Sequence, residues 1–150
     1  MFIQHVCLVV KDMDKSLAFY RDVLGLPVLA DMVIPNDEFM SASVLDICFA
    51  ETHAKSRMVA LADDKGNAIE LQQPLSPEVR STPLEDLRYR TTGIKELAFG
   101  VSDLDKAVKD LEEKGIKFRT PVWSVGQGEF STRSILFDDP DGITLQLVEI

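Results

Sequence analysis

The segment HVCLVVKDMDKSLAFYRDVLG, residues 5–25, has a partner in ELAFGVSDLDKAVKDLEEKG, residues 96–115. Each segment runs from an apolar stretch through an aspartate, Asp12 in the first and Asp103 in the second, to a closing glycine. The two glycines align only after a shift of one residue. A fold built from one small unit used twice leaves this kind of signature in a sequence.

A second pair of similar segments follows in the same order in each half. ALADDKGNAIELQQP begins at Ala60, and ILFDDPDGITLQLVE begins at Ile135. Within this pair Glu70 aligns with Gln146. Chance similarity between short amphipathic pieces would not preserve their order, so the two pairs together predict an internal repeat.

Each half of the chain is typical of a strand, a helix and then further strands. Asp12 or Asp14 can cap the first helix, and Asp103 or Asp105 the second, because a carboxylate accepts hydrogen bonds from the free N–H groups of a first turn. Gly25 can end the first helix. The turn-forming runs DDKGN at 63–67 and DDPDG at 138–142 predict hairpins, each followed by a short strand. The predicted fold is therefore α+β, with two βαβββ modules.

The pattern also predicts where the modules begin and end. The first is expected at residues 1–73 and the second at residues 93–150, as parts of one domain. Residues 74–92 contain three prolines and little periodicity, which is typical of a linker. Residues 35–46, PNDEFMSASVLD, are expected to form an insertion loop before the next strand.

The composition excludes several classes of protein. The 150 residues carry 25 acidic and 16 basic side chains, a net charge of −9. Nucleic acids and anionic membrane surfaces are poor partners for such a chain, since both attract clustered Lys and Arg. No apolar run approaches the roughly 20 residues of a membrane span. Both cysteines lie in apolar segments, so a reducing, cytoplasmic setting is expected.

Side chains alternate between the two faces of a strand, so the large apolar residues should pack under the helices. On the opposite face the first strand of each half begins with a polar residue, His5 or Glu96. The last strand of each half carries Glu70 or Gln146 there. The repeat makes these four positions equivalent and predicts that all four face the concave side of a curled sheet. Carboxylates buried there without a partner would be costly, and a divalent cation would relieve that cost.

At these residues the sequence resembles the vicinal oxygen chelate superfamily, which includes glyoxalase I, methylmalonyl-CoA epimerase, extradiol dioxygenases, and fosfomycin and bleomycin resistance proteins. The resemblance covers nearly the whole chain and rests on HVCLVVKDMDKSLAFYRDVLGL, NAIELQQP, GIKELAFGVSDLDKAV and FDDPDGITLQLVE. It implies a glyoxalase-like fold, whose mixed sheets curl around a shared metal cavity. It also implies that the metal ligands come from the first and last strand of each module, which here are His5, Glu70, Glu96 and Gln146.

Two of these positions depart from the family pattern. Glyoxalase I and the epimerases commonly have a His where this chain has Glu96 and a Glu where it has Gln146. The formal charge of the four-residue set is the same after both changes. Because Gln146 cannot take a proton, Glu70 or Glu96 is expected to be the catalytic base. Extradiol dioxygenases bind iron through two histidines and one carboxylate. A site of that kind here would need His53, from its loop, as the second histidine.

The resemblance and the donor set together lead to a hypothesis about function. The protein is expected to be a metal-dependent lyase or isomerase of the glyoxalase I or epimerase type. It would chelate neighbouring oxygens of a small molecule and promote removal of a proton next to a carbonyl. One imidazole with carboxylate and amide oxygens suits Mn, Fe, Co, Ni or Zn, and donor hardness does not choose among them.

Two alternatives belong to other classes of function. The first is a metal-free protein that sequesters a small molecule, as antibiotic-resistance members of the family do. The second is an enzyme that adds a thiol or water to an epoxide, for which Arg57, Arg119 and Arg133 are candidate anion-binding residues. In each case a small molecule is the expected partner. A homodimer is also expected, because dimerisation is a common way for this fold to bury sheet edges.

Overall fold

The computed structural model describes residues 3–128 and 131–150. The chain divides into two compact units, Met1–Ser81 and Thr82–Ile150, and each contains one four-stranded mixed sheet. Among the described residues, no helix combines the length and the apolar character that a membrane crossing requires.

The first unit follows the predicted order of elements and adds one helix. Its elements in chain order are β1 His5–Val9, α1 Met13–Leu17, a π-helical segment Ala18–Val23, β2 Val28–Ile34, α2 Ala42–Phe49, β3 Lys55–Ala62 and β4 Ala68–Ser76. The strands are arranged β1-β4-β3-β2, with β1 parallel to β4 and the other neighbours antiparallel.

The second unit repeats this topology. Its elements are β5 Glu96–Val101, α3 Leu104–Glu113, β6 Trp123–Val125, β7 Thr132–Asp138 and β8 Thr144–Glu149. The strand order is β5-β8-β7-β6, and only β5 and β8 are parallel. The α+β fold of two βαβββ modules is confirmed.

The helices that follow the first strands begin in the same way in both units. Asp12 Oδ1 accepts a hydrogen bond from the backbone N–H of Lys15 at 3.2 Å, and Asp103 Oδ1 accepts one from Lys106 at 2.9 Å. Of the two aspartates predicted as possible caps for each helix, the first one is the cap in both units. The first helix then widens, because the N–H of Leu24 donates to the carbonyl of Phe19, five residues earlier, at 3.0 Å.

Each of these helices is also tied to the last strand of its own sheet. Gln73 Oε1 on β4 accepts from the N–H of Met13 at 3.1 Å. At the equivalent place in the second unit, Glu149 Oε1 on β8 accepts from the N–H of Leu104, also at 3.1 Å. A side chain of the sheet thus satisfies a first-turn N–H group that has no partner within its helix.

The two predicted hairpin turns are present and share one device. Asp63 Oδ1 accepts from the N–H of Asn67 at 2.8 Å, and Asp139 Oδ1 accepts from the N–H of Ile143 at 2.8 Å. An aspartate that bonds to the backbone a few residues ahead closes a tight turn. This local chemistry explains why both turns could be identified from the sequence.

The expected insertion loop at 35–46 was only partly correct, because α2 begins within it at Ala42. Leu45 is buried on this helix and belongs to a core cluster with Ile34, Ala54 and Met58. Pro35 and the polar residues that precede the helix are typical of a loop. The helix forms because one of its faces is buried against distant residues of the same unit. By strand pairing, Met58 lies on the sheet face opposite α1, so α2 covers that face.

A segment without a counterpart in the first unit covers part of the second sheet. Residues 83–90 form turns in which Leu84 and Leu87 pack over buried Gly142, in the β7–β8 hairpin. Arg88 also holds this segment in place through hydrogen bonds. Its guanidinium donates to the carbonyl of Gly142 at 2.9 Å and to Thr144 Oγ1 at 3.0 Å.

Candidate functional site

Strand register places the first two predicted ligands on one face of the first sheet. In the parallel β1–β4 pair, His5 lies opposite Ala68 and Cys7 lies opposite Glu70. Partners across a ladder share a face, as do alternate residues of one strand. His5, Cys7 and Glu70 therefore lie on the same face. Leu71, the next residue after Glu70, is fully buried on the other face, towards α1.

The second sheet places the other two residues in the same relation. In the β5–β8 pair, Glu96 lies opposite Thr144 and Ala98 lies opposite Gln146. Each unit therefore presents the beginning of its first strand and the third residue of its last strand on one face. The equivalence inferred from the repeat holds at the level of hydrogen-bond register.

Glu70 is half-buried and receives hydrogen bonds from two side chains of its own sheet. Gln72 Nε2 donates to Glu70 Oε1 at 2.8 Å, and the thiol of Cys7 also donates to the carboxylate. Partial desolvation of the thiol by its neighbours and the negative charge of Glu70 raise the pKa of Cys7 to about 11. Cys7 is therefore a neutral donor at physiological pH, which argues against a thiolate nucleophile.

Glu96 is half-buried too, but its partner comes from outside the repeated elements. The hydroxyl of Tyr89, in the 83–90 segment, donates to Glu96 Oε2. This hydrogen bond and the charge of Glu96 raise the pKa of Tyr89, so the phenol stays protonated and keeps donating. Sequence reasoning missed Tyr89 because it lies in the predicted linker, where no periodicity marks a face.

The two remaining predicted ligands have fewer contacts. His5 is exposed, and its Nδ1 contacts Oε1 of the neighbouring Gln4. Gln146 is half-buried on β8. In residues 3–128 and 131–150, no three or more His, Cys, Asp or Glu side chains lie close enough to hold a metal ion. Each unit by itself thus presents two of the four predicted ligands.

Residues 2–147 match the sequence profile of the Glyoxalase/Bleomycin resistance protein/Dioxygenase superfamily. The chain belongs to this superfamily. The protein YwkD of Bacillus subtilis is 31% identical over 98% of this chain and 95% of its own length. A probable lactoylglutathione lyase of Synechocystis is 30% identical, over 99% and 95% respectively. The resemblance predicted from the repeated motifs is confirmed.

A solved structure agrees with the fold of this glyoxalase superfamily protein. A glyoxalase family protein from Bacillus cereus aligns with a TM-score of 0.76, covering 97% of this chain and 91% of that chain. Its sequence is 20% identical, so the similarity bears on the fold alone.

Superfamily membership raises the question of whether the four residues suit a divalent metal. One imidazole, two carboxylates and one amide are all groups that bind such ions. Hydrogen bonds from neighbouring side chains to both carboxylates are the kind of support that orients metal ligands in proteins. In donor type and in placement on each sheet face, the residues fit the metal that the resemblance implies.

The three arginines considered for an anionic substrate are all engaged with carboxylates. Arg57 and Arg133 occupy equivalent positions on β3 and β7, and they pair with the equivalent aspartates Asp14 and Asp105. By register, both arginines lie on the sheet faces towards α1 and α3, away from Glu70 and Gln146. Their positions give no support to a role for these two in binding substrate.

Arg119 differs from the other two arginines because it reaches the face that carries Glu96. Its Nη1 donates to Thr144 Oγ1 at 2.9 Å and to Asp138 Oδ1 at 2.8 Å. Arg88 bonds to the same two residues. These contacts hold the 83–90 segment and the β7–β8 hairpin together. They indicate a structural role for Arg119.

Proposed function

We propose that this superfamily member is a metal-dependent lyase or isomerase of the glyoxalase I or epimerase type. Its substrate is a small molecule with neighbouring oxygens, from which a proton is removed next to a carbonyl. One observation carries the proposal: His5 with Glu70 and Glu96 with Gln146 occupy matching register positions in the two units. The relative named as a probable lactoylglutathione lyase supports the reaction class.

In this proposal the four residues act together as the ligands of one divalent ion, either Mn, Fe, Co, Ni or Zn. When bound, the ion supplies Lewis-acid stabilisation of negative charge that develops on the substrate. The two neutral ligands, His5 and Gln146, leave the charge of the set at −2, which a divalent ion balances. Binding of the ion thereby offsets the free-energy cost of keeping two half-buried carboxylates on these faces.

Proton transfer falls to one of the two carboxylates. Gln146 has no group that can accept a proton, although it is the counterpart of Glu70. Glu70 and Glu96 are the remaining candidates, and each is oriented by a neutral hydrogen-bond donor, Gln72 or Tyr89. A carboxylate whose orientation is fixed in this way can meet a substrate proton without first reorganising.

The experiment that tests the proposal is metal analysis of protein purified without chelator. Wild-type protein should contain about one divalent ion per chain, and both Glu70→Gln and Glu96→Gln should weaken binding by about 10-fold or more. Glu112→Gln, on the exposed surface of α3, is the matched control and should bind like wild type. Wild-type protein that binds no divalent ion in a direct titration would contradict the proposal.

Activity is tested separately with lactoylglutathione as the first compound, followed in deuterated water by proton NMR. Deuterium should enter next to the carbonyl in the metal-loaded wild type and not in the variant that lacks the base. Comparing Glu70→Gln with Glu96→Gln at saturating metal then identifies that base. Tight binding of an apolar ligand without metal or exchange would support the sequestering alternative instead.

Two further parts of the proposal concern assembly and location. Superfamily members often form dimers, and each sheet here has two edge strands, so we propose a homodimer. Light scattering of the purified protein at several concentrations tests it, and a monomeric mass throughout would exclude it. Cys7 and Cys48 are both free thiols, which supports a reducing, cytoplasmic location.

A further inference from the structure

We propose that Gln72 is a positioning residue for Glu70, whose carboxylate it holds in the orientation needed for metal binding. This inference rests on the proposed function, because it assigns a task to a neighbour of a proposed ligand. Gln72 is not itself a ligand in this proposal. It acts only through the hydrogen bond from its amide nitrogen to Glu70 Oε1.

The sheet fixes Gln72 beside Glu70. Both residues lie on β4, two positions apart and therefore on the same face. Gln72 pairs with Val9 of β1 on one side and with Met58 of β3 on the other. Its relative exposure is only 8%, so neighbouring side chains restrict its rotamer. An amide confined in this way keeps its donor aimed at Glu70 Oε1, at 2.8 Å.

The other end of the same amide, Gln72 Oε1, is buried. No donor among the residues that the structure describes forms a hydrogen bond to it. A buried acceptor without a donor destabilises the folded state, whereas an apolar side chain of similar size would avoid that loss. Stability alone therefore does not explain an amide at this position. The bond to Glu70 is what the amide provides and an apolar side chain would not.

The charge on Glu70 also determines which way the amide faces. Rotating the amide by half a turn would bring Gln72 Oε1 against Glu70 Oε1 and place two acceptors in contact. The observed orientation avoids this clash and leaves Oε1 of Gln72 unpaired. The carboxylate thus gains a fixed hydrogen-bond donor, and the amide oxygen is left without a hydrogen bond, which lowers stability.

The neighbouring residue, Gln73, offers a matched control. It lies on the opposite face of β4, where its Oε1 accepts from the N–H of Met13 and supports the start of α1. The same substitution at the two adjacent positions therefore removes a sheet-to-helix contact in one case and the contact to Glu70 in the other. Gln72→Met and Gln73→Met are the variants to compare.

Calorimetric titration of metal-free protein with Mn²⁺ and Zn²⁺ measures the effect. Gln72→Met should weaken binding by about 10-fold, the lower end of the loss usual when a group that orients a metal ligand is removed. Gln73→Met should change the affinity less than 2-fold, by about the scatter of such a measurement, even though it lowers the unfolding temperature. Gln72→Asn is the second variant in case Gln72→Met folds poorly, since its shorter amide cannot reach Glu70.

Side-chain amide signals in ¹⁵N NMR spectra provide a readout that needs no metal. Glu70→Gln should shift the Nε2 signals of Gln72, and Glu96→Gln should leave them in place. Wild-type binding together with unchanged affinity in both Gln72 variants would overturn this inference alone. Absence of metal binding by wild type would overturn the proposed function and this inference with it.

Discussion

The two units share a skeleton and differ in what lies over the face that carries the predicted ligands. In the first unit α2 covers part of this face, whereas in the second the 83–90 segment does so. The opposite faces are alike, with a capped helix tied to the last strand in each. Repeated elements therefore build the scaffold and position the predicted ligands, and the unrepeated segments change their surroundings.

The difference extends to the partners of the two carboxylates. Glu70 is held by Gln72 and Cys7, both on the sheet itself. Glu96 is held by Tyr89, which reaches it from the 83–90 segment. Ala98 and Val148, at the positions equivalent to Cys7 and Gln72, cannot supply these hydrogen bonds. The same strand arrangement thus carries two carboxylates with different support. Glu70 accepts hydrogen bonds from its own sheet, and Glu96 accepts one from a segment outside the sheet.

The largest expected effect tests whether the two cores are equally important. Leu71 and Leu147 are equivalent residues with relative exposures of 0% and 4%. Leu71→Ala and Leu147→Ala should each lower the free energy of unfolding by about 2–5 kcal/mol, because each leaves a cavity under a helix. Urea unfolding followed by circular dichroism measures both. A loss below about 1 kcal/mol in one variant alone would show that its unit tolerates core truncation.

A smaller effect should separate the two hairpin turns. Gly66 and Gly142 have φ values of 84° and 86°, so an alanine strains both turns. At Gly142 the added Cβ would also lie 2.5 Å from Leu84 Cδ2, whereas at Gly66 no atom of the described residues lies within 4 Å of it. Gly142→Ala should therefore cost about 0.5–1.5 kcal/mol more than Gly66→Ala in thermal unfolding, because the exposed Leu84 side chain must leave its rotamer. Equal costs would mean that the 83–90 segment moves aside without a measurable loss of stability.

The smallest effect concerns acid stability and the ion pair of the first unit. Hydrogen bonds from Arg57 at 3.0 and 2.7 Å lower the pKa of Asp31. The contribution of this carboxyl is thus complete above its unfolded pKa of about 4 and is lost as the pH falls through the lower folded value. Arg57→Met should cost about 0.5 kcal/mol at pH 7, after solvent screening, and weaken the pH dependence below 4.

Urea midpoints at pH 7 and pH 3 check this prediction. Asp31→Asn is the matched variant, because it removes this carboxyl and leaves Arg57 paired with Asp14. An acid dependence of stability that is the same in Asp31→Asn as in wild type would contradict the role assigned to Asp31.

Local and repeated features could be predicted from the sequence, and contacts made by unrepeated segments could not. The caps could be narrowed to Asp12 or Asp14 and to Asp103 or Asp105, because capping depends on a few neighbouring residues. The shared face of His5 and Glu70 followed from alternation combined with the repeat. In contrast, α2 forms through burial of Leu45 among distant residues, and Tyr89 meets Glu96 through a turn held by Arg88. No local pattern encodes such contacts.

The π-helical segment accounts for the one-residue shift between the two copies of the repeat. Thirteen positions separate Asp12 from Gly25, and twelve separate Asp103 from Gly115. The wider turn at Ala18–Val23 takes up the additional residue inside the helix, so the cap and the terminal glycine serve both copies alike. Duplicated sequences can thus diverge in length within a helix without any lengthening of a loop.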